Sequence, residues 1–599
     1  MPYILEPNEE EFFIDTPDKN SDKHLACILR TPKKLLEENE KYGISSTTRR
    51  CAIVMHGNNS HKNFCFAVQL SRSLADELGM YSLRFDFRNC GDSTLNGDKG
   101  RTVEEDVQDV EAVYRYLTEG GYHGIKFHVE ALVGHSRGVV DMFEWALKYN
   151  YKHYVPNLIA CAGRFIGQKH IQGVRNGFPD LEERGGHMQP SIIRGKYTEI
   201  FVPLSETNNL GNRTMEKISN INPSVDTMCI YGSNDDIIPL SDSALYSNAL
   251  SPRNKLVILD GLNHQYRTVK DYSKEEAANS KYPYFERTHS LDHNQDVADT
   301  IVKFLGHDGS RRRFYERNID IHKYLPRWKK VEGVANFRDI GGYESSKYKG
   351  KHVRYNHMFR SADLSKATEN GIAELKKLGI KVIFDLRFAE ERGEKKVREI
   401  EGIKNINVPL LGDKSPMLID KMNVYSRLLS NCYSFVEVYK HILDHSAEPL
   451  RIIFTYIKDH PSDPFLFHCA VGKDRTGLLG ILILSLLGVP EQIVCREYEQ
   501  SEYGLACARG DIEKKMVASF EAQSPSFEAA MNQKLANGRQ NWTLRKQGLD
   551  NLLSSRYEVM LTTLDYLNEH YGGAEKYLQE QVGMKREDLE SIKNHLLVD

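Results

Sequence analysis

The chain has 599 residues, 40% of them hydrophobic and 27% charged, with a formal net charge of −3 at pH 7. That length can bury at least two sizeable cores, and a charge so close to zero predicts neither nucleic-acid nor membrane avidity. Its ten cysteines are scattered without CxxC or His/Cys ligand spacing, which argues against a disulfide framework and against a zinc site.

The N-terminus, Met1-Pro2-Tyr3-Ile4-Leu5-Glu6 followed by an acidic run, carries no basic-then-apolar leader. Strands are expected at 51–56, 81–87, 127–133, 157–162, 228–231 and 255–259, alternating with helical stretches such as 63–78 and 102–118. That order predicts an α/β domain, a mostly parallel sheet with helices on both faces. The strand 127–133 leads into Gly134-His135-Ser136-Arg137-Gly138, and 139–149 continues as an amphipathic helix. This is a GxSxG nucleophile elbow, with small residues two before and two after Ser136 to permit a strained backbone.

Possible partners follow in chain order. Asp235 lies three after Gly232 and four before Pro239, and His264 follows the strand 255–259. In this reading Ser136 attacks, His264 shuttles its proton and Asp235 orients the imidazole. Asp236 is the neighbouring alternative for the acid, and a helix-capping aspartate is the bland one. The oxyanion is expected to meet the backbone N–H groups of Arg137 and of Asn58 in His56-Gly57-Asn58-Asn59. Residues 164–222 read as a small helical lid over Ser136, and a helix at 296–305 closes the domain. Gly306-His307-Asp308-Gly309-Ser310, followed by Arg311-Arg312-Arg313 and Arg317, reads as a linker with a solvated basic face. The resulting division is 1–308, a linker at 309–317, and 318–599.

Together with the elbow, Leu83-Arg84-Phe85-Asp86-Phe87-Arg88-Asn89-Cys90-Gly91-Asp92-Ser93 and Ala160-Cys161-Ala162-Gly163-Arg164-Phe165 make this half resemble α/β-hydrolases of the serine esterase type. The likeness is to a plant and fungal group and, more distantly, to feruloyl-esterase-like enzymes. Val139 departs from that group, which commonly has a second Gly after the elbow.

The second half centres on His468-Cys469-Ala470-Val471-Gly472-Lys473-Asp474-Arg475-Thr476-Gly477. Pro464-Phe465-Leu466-Phe467 before it reads as a buried strand, and 478–488 after it as an apolar helix too short to span a bilayer. A loop of converging amides at a helix N-terminus favours an anion and lowers the pKa of a nearby thiol. Cys469 is thus a candidate nucleophile, rather than an ordinary buried cysteine. The backbone of Ala470, Val471 and Gly472 would cradle phosphate, and Arg475 would clamp two of its oxygens. Thr476 would place a hydroxyl near the sulfur.

With Asn336-Phe337-Arg338-Asp339-Ile340-Gly341-Gly342-Tyr343, Phe359-Arg360-Ser361-Ala362-Asp363-Leu364 and the strand ending Asp385-Leu386-Arg387, this half resembles the atypical bacterial and fungal tyrosine phosphatases of dual and triple specificity. Tyr571-Gly572-Gly573 and Tyr577-Leu578 in the helical tail are also similar. Asp385 and Arg387 read as a scaffold ion pair ahead of direct catalysis. The resemblance implies activity on phosphotyrosine and phosphoinositides, and Lys473 would add a cation beside Arg475 for a headgroup with more than one phosphate. It also implies that the loop Asp474 is the general acid, with Asp413 as the alternative. The part beyond Ser501 is expected to be helical and to pack beside the phosphate loop.

The expected protein is a cytoplasmic two-domain hydrolase without cofactor. A cysteine-dependent phosphatase acts on phosphoproteins or phosphoinositides, fused to a Ser-His-Asp carboxylesterase-like domain acting on a small acyl ester. The alternative keeps the hydrolase fold as a non-catalytic docking module for substrate or partner. A phosphoinositide-binding adaptor without turnover fits less well, because Cys469 and Arg475 are both present. The oligomeric state is open.

Overall fold

The computed structural model describes the chain except residues 1–2, 17–23, 42–48, 96–99, 194–195, 322–326, 394–398, 412–420, 524–525, 537–538 and 540. The chain divides into two compact units, Met1–Glu38 with Arg49–Ser310, and Asn39–Thr48 with Arg311–Asp599.

In the first unit, an edge strand β1 (Glu9–Asp15) is followed by strands built from buried runs too short for helices, β2 (His24–Arg30), β3 (Arg50–Met55), β4 (Tyr81–Phe85), β5 (His128–His135) and β6 (Asn157–Cys161). There follow a separate hairpin of β7 (Gly186–Ile193) and β8 (Lys196–Pro203), then β9 (Asp226–Gly232) and β10 (Asn254–Leu259). The eight-stranded sheet runs β1-β2-β4-β3-β5-β6-β9-β10. β2 pairs antiparallel with β1 and β4, and the remaining neighbours are parallel because helical crossovers join them. This is the strand order of the α/β-hydrolase fold.

Helices Ala67–Leu78 and Asn294–Leu305 bury Leu70, Leu74, Val297 and Ile301 in one core with Val54, Val133, Ile159 and Ile230 of the strands. Each such side chain contributes roughly 1.5–3 kcal/mol. Helix Val103–Thr118 begins at Thr102, whose hydroxyl accepts a hydrogen bond from the Glu105 N–H, and it packs on helix Arg137–Tyr149.

Three expectations are corrected. The lid is not wholly helical: helices Gln168–Gly177, Leu181–Arg184 and Leu204–Gly211 are accompanied by the β7–β8 hairpin, where Ile, Thr, Tyr, Phe and Val favour extended backbone. The sheet begins with β1 and β2, two strands ahead of the first one expected; β1 opens on three glutamates and its apolar run is only Phe12-Phe13-Ile14, too short to mark a strand. The stretch read as a linker, 309–317, contains the division between the two units but is helical rather than a loop, within His307–Ile321, because one glycine does not outweigh the helix-compatible run after it.

The second unit holds a five-stranded sheet of β11 (Arg338–Asp339), β12 (Met358–Ser361), β13 (Val382–Asp385), β14 (Lys404–Asn407) and β15 (Phe465–His468), ordered β11-β12-β15-β13-β14. β11 is antiparallel to β12, and the other pairs are parallel. The central strand β15 therefore delivers Cys469 to the carboxyl edge of the sheet, where α/β folds place their ligands. Helix Asp474–Leu486 follows, with Leu478, Leu479, Ile481, Leu482 and Ile483 all buried. Helix Glu491–Glu499 packs against it, and helix Tyr557–Tyr571 packs on that one in turn, so its apolar surface is covered on several sides. The segment beyond Ser501 is mainly helical, and it ends in Leu597–Val598 paired antiparallel with His352–Val353. No helix of the described residues is long and apolar enough to cross a membrane.

Candidate active sites

Ser136 ends the turn between β5 and helix Arg137–Tyr149 at φ 53°, ψ −115°, a strained backbone for a residue with a Cβ. Its N–H donates to the Cys161 carbonyl at 2.9 Å, which ties the elbow to the neighbouring strand. Gly138 cannot carry a side chain, because a Cβ there would sit 2.7 Å from the His56 carbonyl. Asp235, in the turn after β9, accepts from the N–H groups of Ile237 at 2.9 Å and Ile238 at 2.7 Å through one oxygen. Its other oxygen meets His264 Nδ1 at 2.8 Å, whereas Asp236 has no such contact. Ser136, His264, Asn58 and Arg137 all line one cavity of about 410 Å3.

Supporting residues come from distant parts of the chain. The Arg137 guanidinium donates to Asp106 at 3.0 Å, to Glu206 at 2.8 Å and to the Asn58 side-chain oxygen at 3.1 Å, so it braces the Asn58 loop that lines the cavity. His56 accepts from the Phe87 N–H at 3.2 Å through Nε2 and donates from Nδ1 to the Gly57 carbonyl at 2.8 Å. Burial holds His56 neutral, well below the ordinary histidine range. His135 Nε2 lies 3.1 Å from the His264 carbonyl, and burial together with the His264 ring pushes its pKa down to about 3. No spacing rule links Asp106 or Glu206 to the elbow, so sequence reading misses both.

In the second unit, Cys469 is 1% exposed at the end of β15. The Arg475 guanidinium is held by Glu391 through two bonds, at 2.5 and 2.7 Å, and donates to the Leu386 carbonyl at 3.2 Å. Glu391 belongs to the short helix Ala389–Arg392 that follows Asp385-Leu386-Arg387. Burial alone would raise its carboxyl pKa, but Arg475 holds it below the ordinary value. The loop backbone has its own scaffold. Asn336 Nδ2 donates to the carbonyls of Val471 at 3.2 Å and Gly472 at 3.0 Å, and Arg360 donates to that of Gly472 at 2.8 Å. Glu497 accepts from Arg338 and Arg360 at 2.7 Å each, and these two guanidiniums keep its buried carboxyl below its usual pKa against the effect of burial. Breaking one member of such a buried set costs about 3–5 kcal/mol.

Residues 329–598 match the sequence model of the tyrosine phosphatase family. The chain contains a tyrosine phosphatase family domain. A tyrosine-protein phosphatase of Nostoc commune is 26% identical over 239 residues, 40% of this chain and 73% of that protein. The triple specificity protein phosphatase PtpB of Mycobacterium tuberculosis is 23% identical over 292 residues, 45% of this chain and 99% of that protein. The uncharacterized Saccharomyces cerevisiae protein YDL057W is 30% identical over 278 residues, 44% of this chain and 84% of the yeast protein, and the chain belongs to one family with it. A solved structure of Est1E from Butyrivibrio proteoclasticus with bound ferulic acid is similar over 49% of this chain and 97% of that one, at 16% identity and a TM-score of 0.36. The α/β-hydrolase assignment of the first unit rests on its own strand order rather than on that likeness.

Within the tyrosine phosphatase domain, Lys473 departs from its expected role. Its ammonium donates to the carbonyls of Leu552 and Ser554, both at 2.9 Å, and lies 3.9 Å from the centre of the Phe435 ring. Burial pushes it below the ordinary lysine range, with Asp474 opposing that shift. It is therefore not a free cation for a second substrate phosphate, because the helical tail supplies acceptors that sequence spacing cannot reveal. Asp474 Oδ1 accepts from Tyr439 at 2.5 Å and lies 3.4 Å from the Lys473 ammonium. Asp413 lies outside the described residues. Asp385 and Arg387 pair at 2.8 Å, and Arg387 also reaches Asp363 at 2.9 Å. The Ala470 carbonyl accepts from the Asp363 N–H at 3.1 Å, and the Thr476 hydroxyl is buried without a hydrogen-bond partner among the described residues.

Gly472 has φ +68°, and a Cβ there would lie 2.2 Å from the Ser361 carbonyl. Gly472→Ala is expected to displace the loop, destabilise the domain by about 1–3 kcal/mol and abolish phosphate release. Thermal melting and a phosphate-release assay on the same preparation check it; a variant with normal stability and turnover would contradict the required geometry.

Proposed function

We propose that the chain is a two-domain hydrolase, a cysteine-dependent phosphatase acting on phosphorylated protein side chains and a Ser-His-Asp carboxylesterase-like hydrolase. The observation that carries the phosphatase half is Cys469 at the end of the central strand, followed by an arginine held at its guanidinium by Glu391. The Cys469 thiolate attacks phosphorus while the bond to the leaving oxygen breaks and Asp474 protonates that oxygen. Arg475 and the loop amides stabilise the transferring phosphoryl group. Water then attacks the phosphocysteine, the S–P bond breaks and inorganic phosphate leaves, with the Thr476 hydroxyl beside the sulfur.

Relatives named as a tyrosine-protein phosphatase and a triple specificity protein phosphatase support a phosphoprotein substrate. The engagement of Lys473 with Leu552 and Ser554 removes the reason to favour a headgroup with several phosphates. A panel of phosphopeptides and phosphoinositides, run with wild type and Cys469→Ser, tests this; release from phosphoinositides alone would overturn it. In the hydrolase half, the carrying observation is the Asp235–His264 contact in the domain whose cavity holds the strained Ser136. Ser136 Oγ attacks an acyl carbonyl, His264 passes the proton to the departing alcohol, and water releases the acid.

The proton donor has its own test. Asp474 Oδ1 is held by Tyr439, and Oδ2 has no partner among the described residues, so one oxygen is free to donate. Asp474→Asn is expected to slow an alkyl phosphate at least about tenfold more than an activated aryl phosphate, which departs without a proton. Asp413→Asn is expected to leave that ratio unchanged. The reverse pattern would move the acid to Asp413.

A further inference from the structure

The cavity above Ser136 is lined by Arg137, Arg164 and Arg213 but, among the described residues, by no Asp or Glu. Arg137 is neutralised by Asp106 and Glu206, and Arg213 by Glu104 and Glu144. Arg164 differs. It follows β6 in the Ala160–Phe165 motif, to which the triad gives no task, and its guanidinium donates to the backbone carbonyl of Ile237 at 2.5 Å. No carboxylate among the described residues forms an ion pair with it. The two acids whose charge it feels are engaged elsewhere. Asp242 accepts from the Phe165 N–H at 2.9 Å and from Lys169 at 3.2 Å, and Asp235 holds Ile237, Ile238 and His264.

The rest of that wall makes the unmatched charge costly. Phe64, Phe165, Leu210, Met215 and Ile238 also line the cavity, Arg164 itself is half-buried, and burial pushes its guanidinium below its ordinary range. His170 lines the same cavity and is neutral at pH 7, its pKa pushed down to about 4 by burial and by Arg164 and Arg137. A neutral imidazole can donate one N–H without adding a second charge. A planar carboxylate matches a guanidinium fork and would supply the missing counter-charge.

We propose that the cavity takes an ester that bears a second, ionised carboxylate, held by Arg164 with His170 beside it while Ser136 attacks the ester carbonyl. This rests on the reading of Ser136 as a nucleophile. The carboxylate can belong to the acyl or to the alcohol part, and two matched pairs separate these. The first sets the para-nitrophenyl monoester of adipic acid against para-nitrophenyl hexanoate; the second sets meta-carboxyphenyl butyrate against meta-carbamoylphenyl butyrate.

In the full-length protein, kcat/KM for at least one charged ester is expected to exceed that of its neutral partner by about tenfold or more. Arg164→Met is expected to collapse that charged-to-neutral ratio, and Arg164→Lys to retain part of it. Equal ratios in the wild type, or a ratio that survives Arg164→Met, overturn the assignment. Labelling with a fluorophosphonate separates the two levels: a wild-type protein whose Ser136 does not react loses the hydrolase reading itself, and this inference with it.

Discussion

Phosphate release is expected to fall by about a thousandfold or more in Cys469→Ser, because a serine hydroxyl at the same place is neither ionised near neutral pH nor a comparable nucleophile. The exchange of sulfur for oxygen in a buried position should leave the thermal melting profile close to wild type. Arg475→Ala removes the clamp on the transferring phosphoryl group and is expected to cost about a hundredfold or more. It also strands the Glu391 carboxylate, which has Arg475 as its two-bond partner, so some loss of stability should accompany it. Turnover in Cys469→Ser within tenfold of wild type would sink the covalent mechanism.

Hydrolysis of short acyl esters, and labelling by a serine-directed fluorophosphonate, are expected to disappear in Ser136→Ala and to persist in Cys469→Ser. The expected loss is about a thousandfold or more, since removing the nucleophile of a triad leaves only the oxyanion site and binding. Phosphate release should survive Ser136→Ala, because Ser136, Asp235 and His264 all belong to the first unit and Cys469 to the second. An enzyme whose labelling persists after Ser136→Ala uses another nucleophile. A wild type that never labels would favour the docking-module alternative for the first domain.

Much of both sites is written locally. Gly134-His135-Ser136-Arg137-Gly138 specifies its own strained turn, since Gly138 must accept the close approach of the His56 carbonyl. The loop from Cys469 to Thr476 does the same through Gly472, and apolar runs on either side of each motif set a strand before and a helix after it. Order along the chain was enough to bring Asp235 and His264 into consideration as partners, because crossover connections of one hand leave few places for the turns after β9 and β10.

Other features required the assembled fold. Glu391, Glu497, Asp106 and Glu206 are unremarkable acids in the sequence, and only the packing of distant elements sets them against Arg475, Arg338 with Arg360, and Arg137. Lys473 is the sharpest instance. Its neighbours along the chain suggest a substrate cation, but the carbonyls of Leu552 and Ser554, some 80 residues away, take its protons. Chain-local information fixes dihedral preferences and apolar periodicity, which is why motifs and sheet strands were legible in advance. The choice of partner for a long charged side chain depends on which acceptors tertiary packing leaves unsatisfied, and that is decided only when the whole domain has closed around it.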